Sequence, residues 1–234
     1  GWNLIAGPTS EVSIDMIDDP DSLIVPNTLF GFDASGYTES NLLAPGYGYW
    51  VRSFGNGNVS LQAGWNNNVS SLPLIREKQS QLNKISINGK KLYFGNNNLS
   101  EKEKLSYTLP PRPPVGAKDI RFSDNTLLCS EIECIIEILN VNQLLSFNYE
   151  INKDELWEVI PVLNNQMQFD DVTLLSNQSE ITLNSNVERL ILRKTTFSHV
   201  SSKFTLYSSF PNPFNPLTTI RFYLPDISNV NIEI

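Results

Sequence analysis

Apolar and polar residues alternate in short runs along most of this chain, and Asn, Gly, Pro and Ser separate the runs. Side chains of a strand point alternately to its two faces, so each run predicts a half-buried strand. In Ser146-Phe147-Asn148-Tyr149-Glu150-Ile151 the apolar residues fall on one face. Lys84–Phe94 is interrupted by Asn88-Gly89. That pair accepts the two positive φ angles of a type I′ turn, so the segment is read as a β-hairpin pairing Ile85–Ile87 with Lys91–Tyr93. Further strands are expected at Asp119–Ser123, Cys134–Leu139, Leu144–Ile151, Leu156–Leu163, Val172–Ser176, Glu180–Asn184 and Glu188–Lys194. Pro161 lacks the N–H a ladder needs, which predicts an edge or bulged strand there. Helix is expected only at Asp18–Ile24, as one turn, and at Ile75–Leu82, as a short helix or connector.

The fold class implied is all-β and multi-module, with helix below about 15% against the usual 30–35%. About seven strands in roughly 110 residues is the size of an immunoglobulin-like β-sandwich. The tyrosine corner and the Cys…Trp…Cys spacing of immunoglobulin domains are not evident, so "sandwich" is the safer reading. Composition shifts divide the chain into a Trp/Gly-rich β-module (1–62), a linker (63–83), the sandwich (84–194), a second linker (195–203) and a distinct C-terminal segment (204–234). Leu109-Pro110-Pro111-Arg112-Pro113-Pro114 is read as a stiff connector, with a proline-binding partner as the rival reading. The chain opens at Gly1-Trp2 and ends at Ile232-Glu233-Ile234 as if in mid-strand, so a fragment or mature segment of a longer protein is expected.

Composition narrows the functional classes. The 234 residues carry 17 Lys+Arg against 25 Asp+Glu, a formal charge of −8, and 27 Asn. An acidic chain without a basic cluster repels a phosphate backbone, so no nucleic acid partner is expected. No apolar run approaches the ~20 residues of a membrane-spanning helix. One histidine and two cysteines fall short of the ligand sets of ordinary zinc, haem or iron–sulfur centres, so no cofactor is expected.

Few residues invite chemistry. His199, the single histidine, lies in a polar stretch that offers a general base neither burial nor an orienting partner. No catalytic set, and hence no enzyme, is expected. Cys129 and Cys134 flank a short polar turn. A disulfide across a hairpin is favoured over two buried thiols if their Cα atoms lie within ~4.4–6.8 Å. Asp15, Asp18, Asp19 and Asp21 crowd one loop, without the glycine and terminal Glu of an EF-hand. A solvated acidic loop with capping duty is expected there. Tyr47, Tyr49, Trp50 and Trp65 raise the question of glycan stacking. Alternation puts Tyr47 and Tyr49 on one face and Trp50 on the other, and core packing is the favoured role. Sequons at Asn58, Asn68, Asn98 and Asn177 carry no weight in a chain so rich in asparagine.

Two resemblances emerge. Phe204-Thr-Leu-Tyr-Ser-Ser-Phe-Pro211-Asn212-Pro213-Phe214-Asn215-Pro216, followed by alternating Thr218–Leu224 and Pro225, resembles the start of the type IX secretion C-terminal sorting domain. That family shares this opening with the immunoglobulin-like domain of flagellar hook-capping proteins. The three prolines make a rigid, non-helical crossover, and Asn212 and Asn215 can bond their own backbone. The family domain runs several strands further, so a truncated, incomplete β-domain with an open edge is expected. More weakly, Gly1-Trp2-Asn3-Leu4-Ile5 with Pro45-Gly46-Tyr47-Gly48-Tyr49-Trp50 is similar to a "GWNLI…PGxGYW" module of large bacterial secreted and surface proteins.

The resemblance implies a non-catalytic C-terminal region of a secreted or outer-membrane cell-surface bacterial protein. Its partner would be the type IX secretion machinery, and its β-modules would serve presentation or adhesion. The alternative is an accessory glycan-binding module of a secreted hydrolase, touching surface polysaccharide through Tyr47, Tyr49 and Trp50.

Overall fold

The computed structural model describes residues 1–61, 81–95, 98–141, 144–152, 155–164, 166–168, 172–175, 178–183, 187–195, 205–206, 218, 220, 222–223 and 230–231. The chain forms two compact units, Gly1–Lys194 and Thr195–Ile234. The fold is all-β. Among the described residues the α-helix is the four-residue α1 (Glu101–Lys104). Ser100 and Glu103 close it with a reciprocal capping box, a Ser-x-x-Glu signature that the strand-dominated reading passed over.

The first unit opens with eight short strands: β1 (Trp2–Ala6), β2 (Val12–Ser13), β3 (Ile17–Asp18), β4 (Phe30–Asp33), β5 (Gly36–Glu39), β6 (Leu42–Leu43), β7 (Gly48–Arg52) and β8 (Ser60–Leu61). An antiparallel sheet in the order β1-β7-β4-β5 is flanked by the pairs β2–β6 and β3–β8. Ile5, Tyr49 and Val51 point from one face of the sheet into a core shared with Ile17, Ile24, Leu29 and Leu43. No helical turn forms at Asp18–Ile24. Both carboxylate oxygens of Asp19 accept backbone N–H bonds at 2.8 Å, from Leu23 and Ile24, and Ser22 takes a positive φ of 51°. An aspartate that captures backbone donors in this way competes with helix and closes a turn instead. The other expected helix, Ile75–Leu82, lies outside the described residues up to Ser80; Leu82 is buried and Asn83 starts a strand.

Among the described residues eleven strands follow: β9 (Asn83–Ile87), β10 (Lys90–Phe94), β11 (Asp119–Phe122), β12 (Leu128–Cys129), β13 (Glu133–Leu139), β14 (Leu145–Glu150), β15 (Leu156–Leu163), β16 (Gln166–Met167), β17 (Thr173–Leu175), β18 (Gln178–Leu183) and β19 (Arg189–Thr195). They make a sandwich. One sheet runs β12-β10-β9-β14-β18, the other β11-β13-β19-β15-β16, with β17 also on β15. Both inner faces feed one core, from Ile85, Leu92 and Phe147 on one side to Ile136, Trp157 and Leu192 on the other. Phe94 meets Trp157 edge-on across it, with ring centroids 4.8 Å apart. Trp157 is fully buried, so its truncation to alanine is worth about 3–5 kcal/mol.

The Asn88-Gly89 hairpin is present with both turn residues at positive φ, 48° and 86°. Its register is one residue tighter than expected, Ile87↔Lys90 and Ile85↔Leu92, because a two-residue loop makes its flanking residues direct partners. Pro161 does not mark an edge strand. β15 lies inside its sheet, but its outer partner changes from β17 at Val159 to β16 at Val162. The Pro161 carbonyl accepts from Gln168 N–H on that side, at 2.8 Å. A strand residue directs its N and O the same way, so the missing N–H falls where the ladder is already interrupted.

Cys129 and Cys134 form a disulfide with Cα atoms 6.2 Å apart. Their strands are not a hairpin: β12 pairs in parallel with β10, whereas β13 belongs to the opposite sheet. The bond therefore ties the two sheets together at one corner, and in the chain-entropy account so short a loop contributes about 2 kcal/mol.

In the second unit, β20 (Thr205–Leu206) and β21 (Phe222–Tyr223) pair antiparallel, Thr205 opposite Tyr223 and Leu206 opposite Phe222.

Candidate functional site

The aromatic residues singled out for glycan contact do not assemble into one platform. Tyr47 precedes β7 and is 64% exposed, so strand alternation does not reach it. Tyr49 is buried, and its hydroxyl accepts the Ala44 N–H at 2.9 Å. Trp50 lies on the opposite face, half-buried, between its cross-strand partners Leu4 and Phe30. Trp65 lies outside the described residues.

That opposite face carries Trp2, Phe30, Phe32, Tyr37 and Trp50, since directly paired residues share a face. Trp2 packs on Phe30 with ring centroids 6.0 Å apart, and Phe32 on Tyr37 at 5.1 Å. Phe30 is 1% exposed although it sits on a four-stranded sheet's outer side. The sandwich is what covers it. Lys90 Nζ stands 5.8 Å from the Phe30 ring centre and donates to the Tyr37 carbonyl at 3.2 Å. Arg121 stands 6.0 Å from the Tyr37 ring. The turn after β4 seats against the sandwich so closely that a Cβ on Gly36, at φ +102°, would lie 2.3 Å from the Lys118 carbonyl.

The seam buries charge. On β11, Ile120 and Phe122 face the sandwich core and Asp119 and Arg121 face outward, where charged side chains ordinarily meet water. Here both are buried, Arg121 completely. Its guanidinium donates to the Asp119 carboxylate, to the Pro110 carbonyl at 2.9 Å and to Asn125 Oδ1 at 3.2 Å. Nη2 has no partner among the described residues. The buried Pro110 is thus a structural acceptor in the seam. Burial pulls the Lys90 ammonium below its ordinary pKa, and Arg121 adds to this while Asp119 and Glu39 oppose it. Burial likewise pushes the Tyr37 phenol up, against Arg121 and a hydrogen bond with Trp50.

Beside these groups a cleft of about 170 Å³ opens between the β4–β5 turn and the end of the sandwich. Ser35, Tyr37, Asn88, Lys90, Lys118 and Asp119 line it, with Ile120 and Val141. The volume holds several waters, which need roughly 10–15 Å³ each, but lies below the roughly 300–1,000 Å³ of pockets for drug-sized ligands. The cleft offers ammonium, hydroxyl and amide groups to a small polar molecule. Nothing in the chain's local pattern points to it, since its walls come from four separate segments spread between Ser35 and Val141.

The other candidates separate. Asp19 is engaged as a turn cap, and Asp15 lies within a 3-10 turn, Ile14–Met16, where its backbone N–H donates to the capping Ser13 hydroxyl. Among the described residues no three His, Cys, Asp or Glu side chains are grouped to hold a metal ion, and no helix is long and apolar enough to cross a membrane. His199 and the motif residues Pro211, Asn212, Pro213, Phe214, Asn215 and Pro216 lie outside the described residues. No family model matches the chain, and neither a curated protein nor a solved structure matches it.

Proposed function

We propose that this chain is the non-catalytic C-terminal region of a bacterial secreted or cell-surface protein. In this reading the segment from Phe204 begins a type IX sorting domain, and the preceding β-modules present or space the parent protein at the surface. The observation that carries the reading is the ordered run Phe-Pro211-Asn212-Pro213-Phe214-Asn215-Pro216 followed by alternating Thr218–Leu224. The antiparallel pairing of Thr205–Leu206 with Phe222–Tyr223 supports it, because the prolines then lie in the connection between two paired strands. The Cys129–Cys134 bond suits an oxidising compartment. The charged seam suits a spacer, since it joins the first module to the sandwich within one compact unit.

The test is secretion. A reporter fused to the native C-terminal region of this protein should be exported by a host with the type IX machinery. Replacing Pro211, Pro213 and Pro216 together with alanine should abolish export without lowering expression. Export unchanged by that triple substitution refutes the sorting role.

A further inference from the structure

Beyond presentation, and independent of how the chain is exported, the seam between the first module and the sandwich has the chemistry of a ligand site. Of the charged side chains lining its cleft, two are ammonium groups, Lys90 and Lys118, and one is a carboxylate, Asp119. Asp119 accepts from Arg121 and also acts on Lys90, so its one negative charge is shared between two cations. Glu39 acts on Lys90 from outside the lining, and the exposed Asp33 accepts from the N–H and hydroxyl of Ser35. The cleft lining itself thus carries two lysines against one carboxylate, in a chain of net charge −8.

The walls are held in place before any ligand arrives. Asn88 Oδ1 accepts from Ser146 N–H at 2.8 Å, which pins the hairpin tip to β14, and Lys90 is held by the Tyr37 carbonyl at 3.2 Å. Pre-ordered donors lose little entropy on binding. The partial balance by Glu39 favours a single negative charge over two, and the volume limits the ligand to about one sugar ring.

We propose that this cleft binds a small carboxylate monoanion, with the carboxylate between Lys90 and Lys118 and hydroxyls of the ligand against Ser35 and Tyr37. A uronic acid residue is the matching sugar.

The test titrates the isotope-labelled full chain at constant ionic strength with sodium glucuronate, sodium acetate, inorganic phosphate and glucose, following backbone amide shifts. Saturable shifts at Ser35, Lys90 and Lys118 with glucuronate are expected, and none with glucose. Acetate binding as well as glucuronate would mean that the carboxylate alone is recognised; weaker acetate binding would mean a sugar-borne carboxylate; both uphold the site. Lys90→Met should weaken glucuronate at least tenfold. Lys118→Glu, at an exposed position, should do the same and so decides the matter if Lys90→Met does not fold. The proposal is overturned if neither acid saturates, if phosphate or glucose binds as well as glucuronate, or if Lys118→Glu leaves affinity unchanged.

Discussion

Replacing Asp119 with Asn removes one charge from the seam and leaves Arg121, which has no solvent exposure, as an uncompensated buried cation. An exposed pair of this kind would be worth at most about 1 kcal/mol. A buried one behaves differently. At an effective dielectric of ~20, unit charges 4 Å apart interact by about 4 kcal/mol. Removing one member of a buried pair typically costs about 3–5 kcal/mol. The remaining acceptors of Arg121, the Pro110 carbonyl and Asn125 Oδ1, are neutral and hold only part of that cost. Against a total stability of about 5–15 kcal/mol, the loss is a large fraction. Urea denaturation of the full chain should therefore show Asp119→Asn destabilised by about 3–5 kcal/mol. The double variant Asp119→Leu/Arg121→Met, which removes both charges, should recover much of that loss. If Asp119→Asn costs less than about 1 kcal/mol, Arg121 is hydrated in solution, and the first module does not seat on β11 as described.

Two further outcomes follow from particular contacts. Gly89→Val should cost roughly 1 kcal/mol, because nothing lies within 4 Å of its Cβ position and only the positive φ is strained; Gly36→Ala should cost more, because strain there adds to a clash with the Lys118 carbonyl, and equal melting temperatures for the two variants would contradict this ranking. Burial opposes ionisation of Glu155, but hydrogen bonds from Lys194, Trp157 and Asn83 outweigh it and hold its pKa below the ordinary 4.5. The stability this supplies is present above about pH 4.5 and lost as pH falls from there through the depressed value, so melting temperature should drop more steeply on acidification in the wild type than in Glu155→Gln; parallel curves would remove Glu155 from the account.

Local signals carried the strands. Asn88-Gly89 allows both positive φ angles without help from the rest of the chain, and alternation in Ser146–Ile151 assigns Phe147 and Tyr149 to the core face. The expected strands between Asp119 and Lys194 lie within a residue or two of their observed bounds, because β-branched and aromatic runs ended by turn residues have few other ways to pair their backbone.

What covers each face was decided elsewhere. The outward side of β11 reads as solvated charge, yet Asp119 and Arg121 are buried because a hairpin some eighty residues upstream lies on them. Cys129 and Cys134, five residues apart, belong to opposite sheets because β12 finds a parallel partner in β10. Tyr49 and Trp50 are neighbours with opposite surroundings, one in the module's own core and one at the seam. Pro161 sits inside a sheet because two short strands share the outer edge of its own strand and the pairing passes from one to the other at the ring. Alternation and turn chemistry depend on residues within a few positions of one another, so sequence determines strands, faces and turns. Burial, charge pairing and the cleft depend on which distant surface arrives at each face, and that is a property of the assembled sheets.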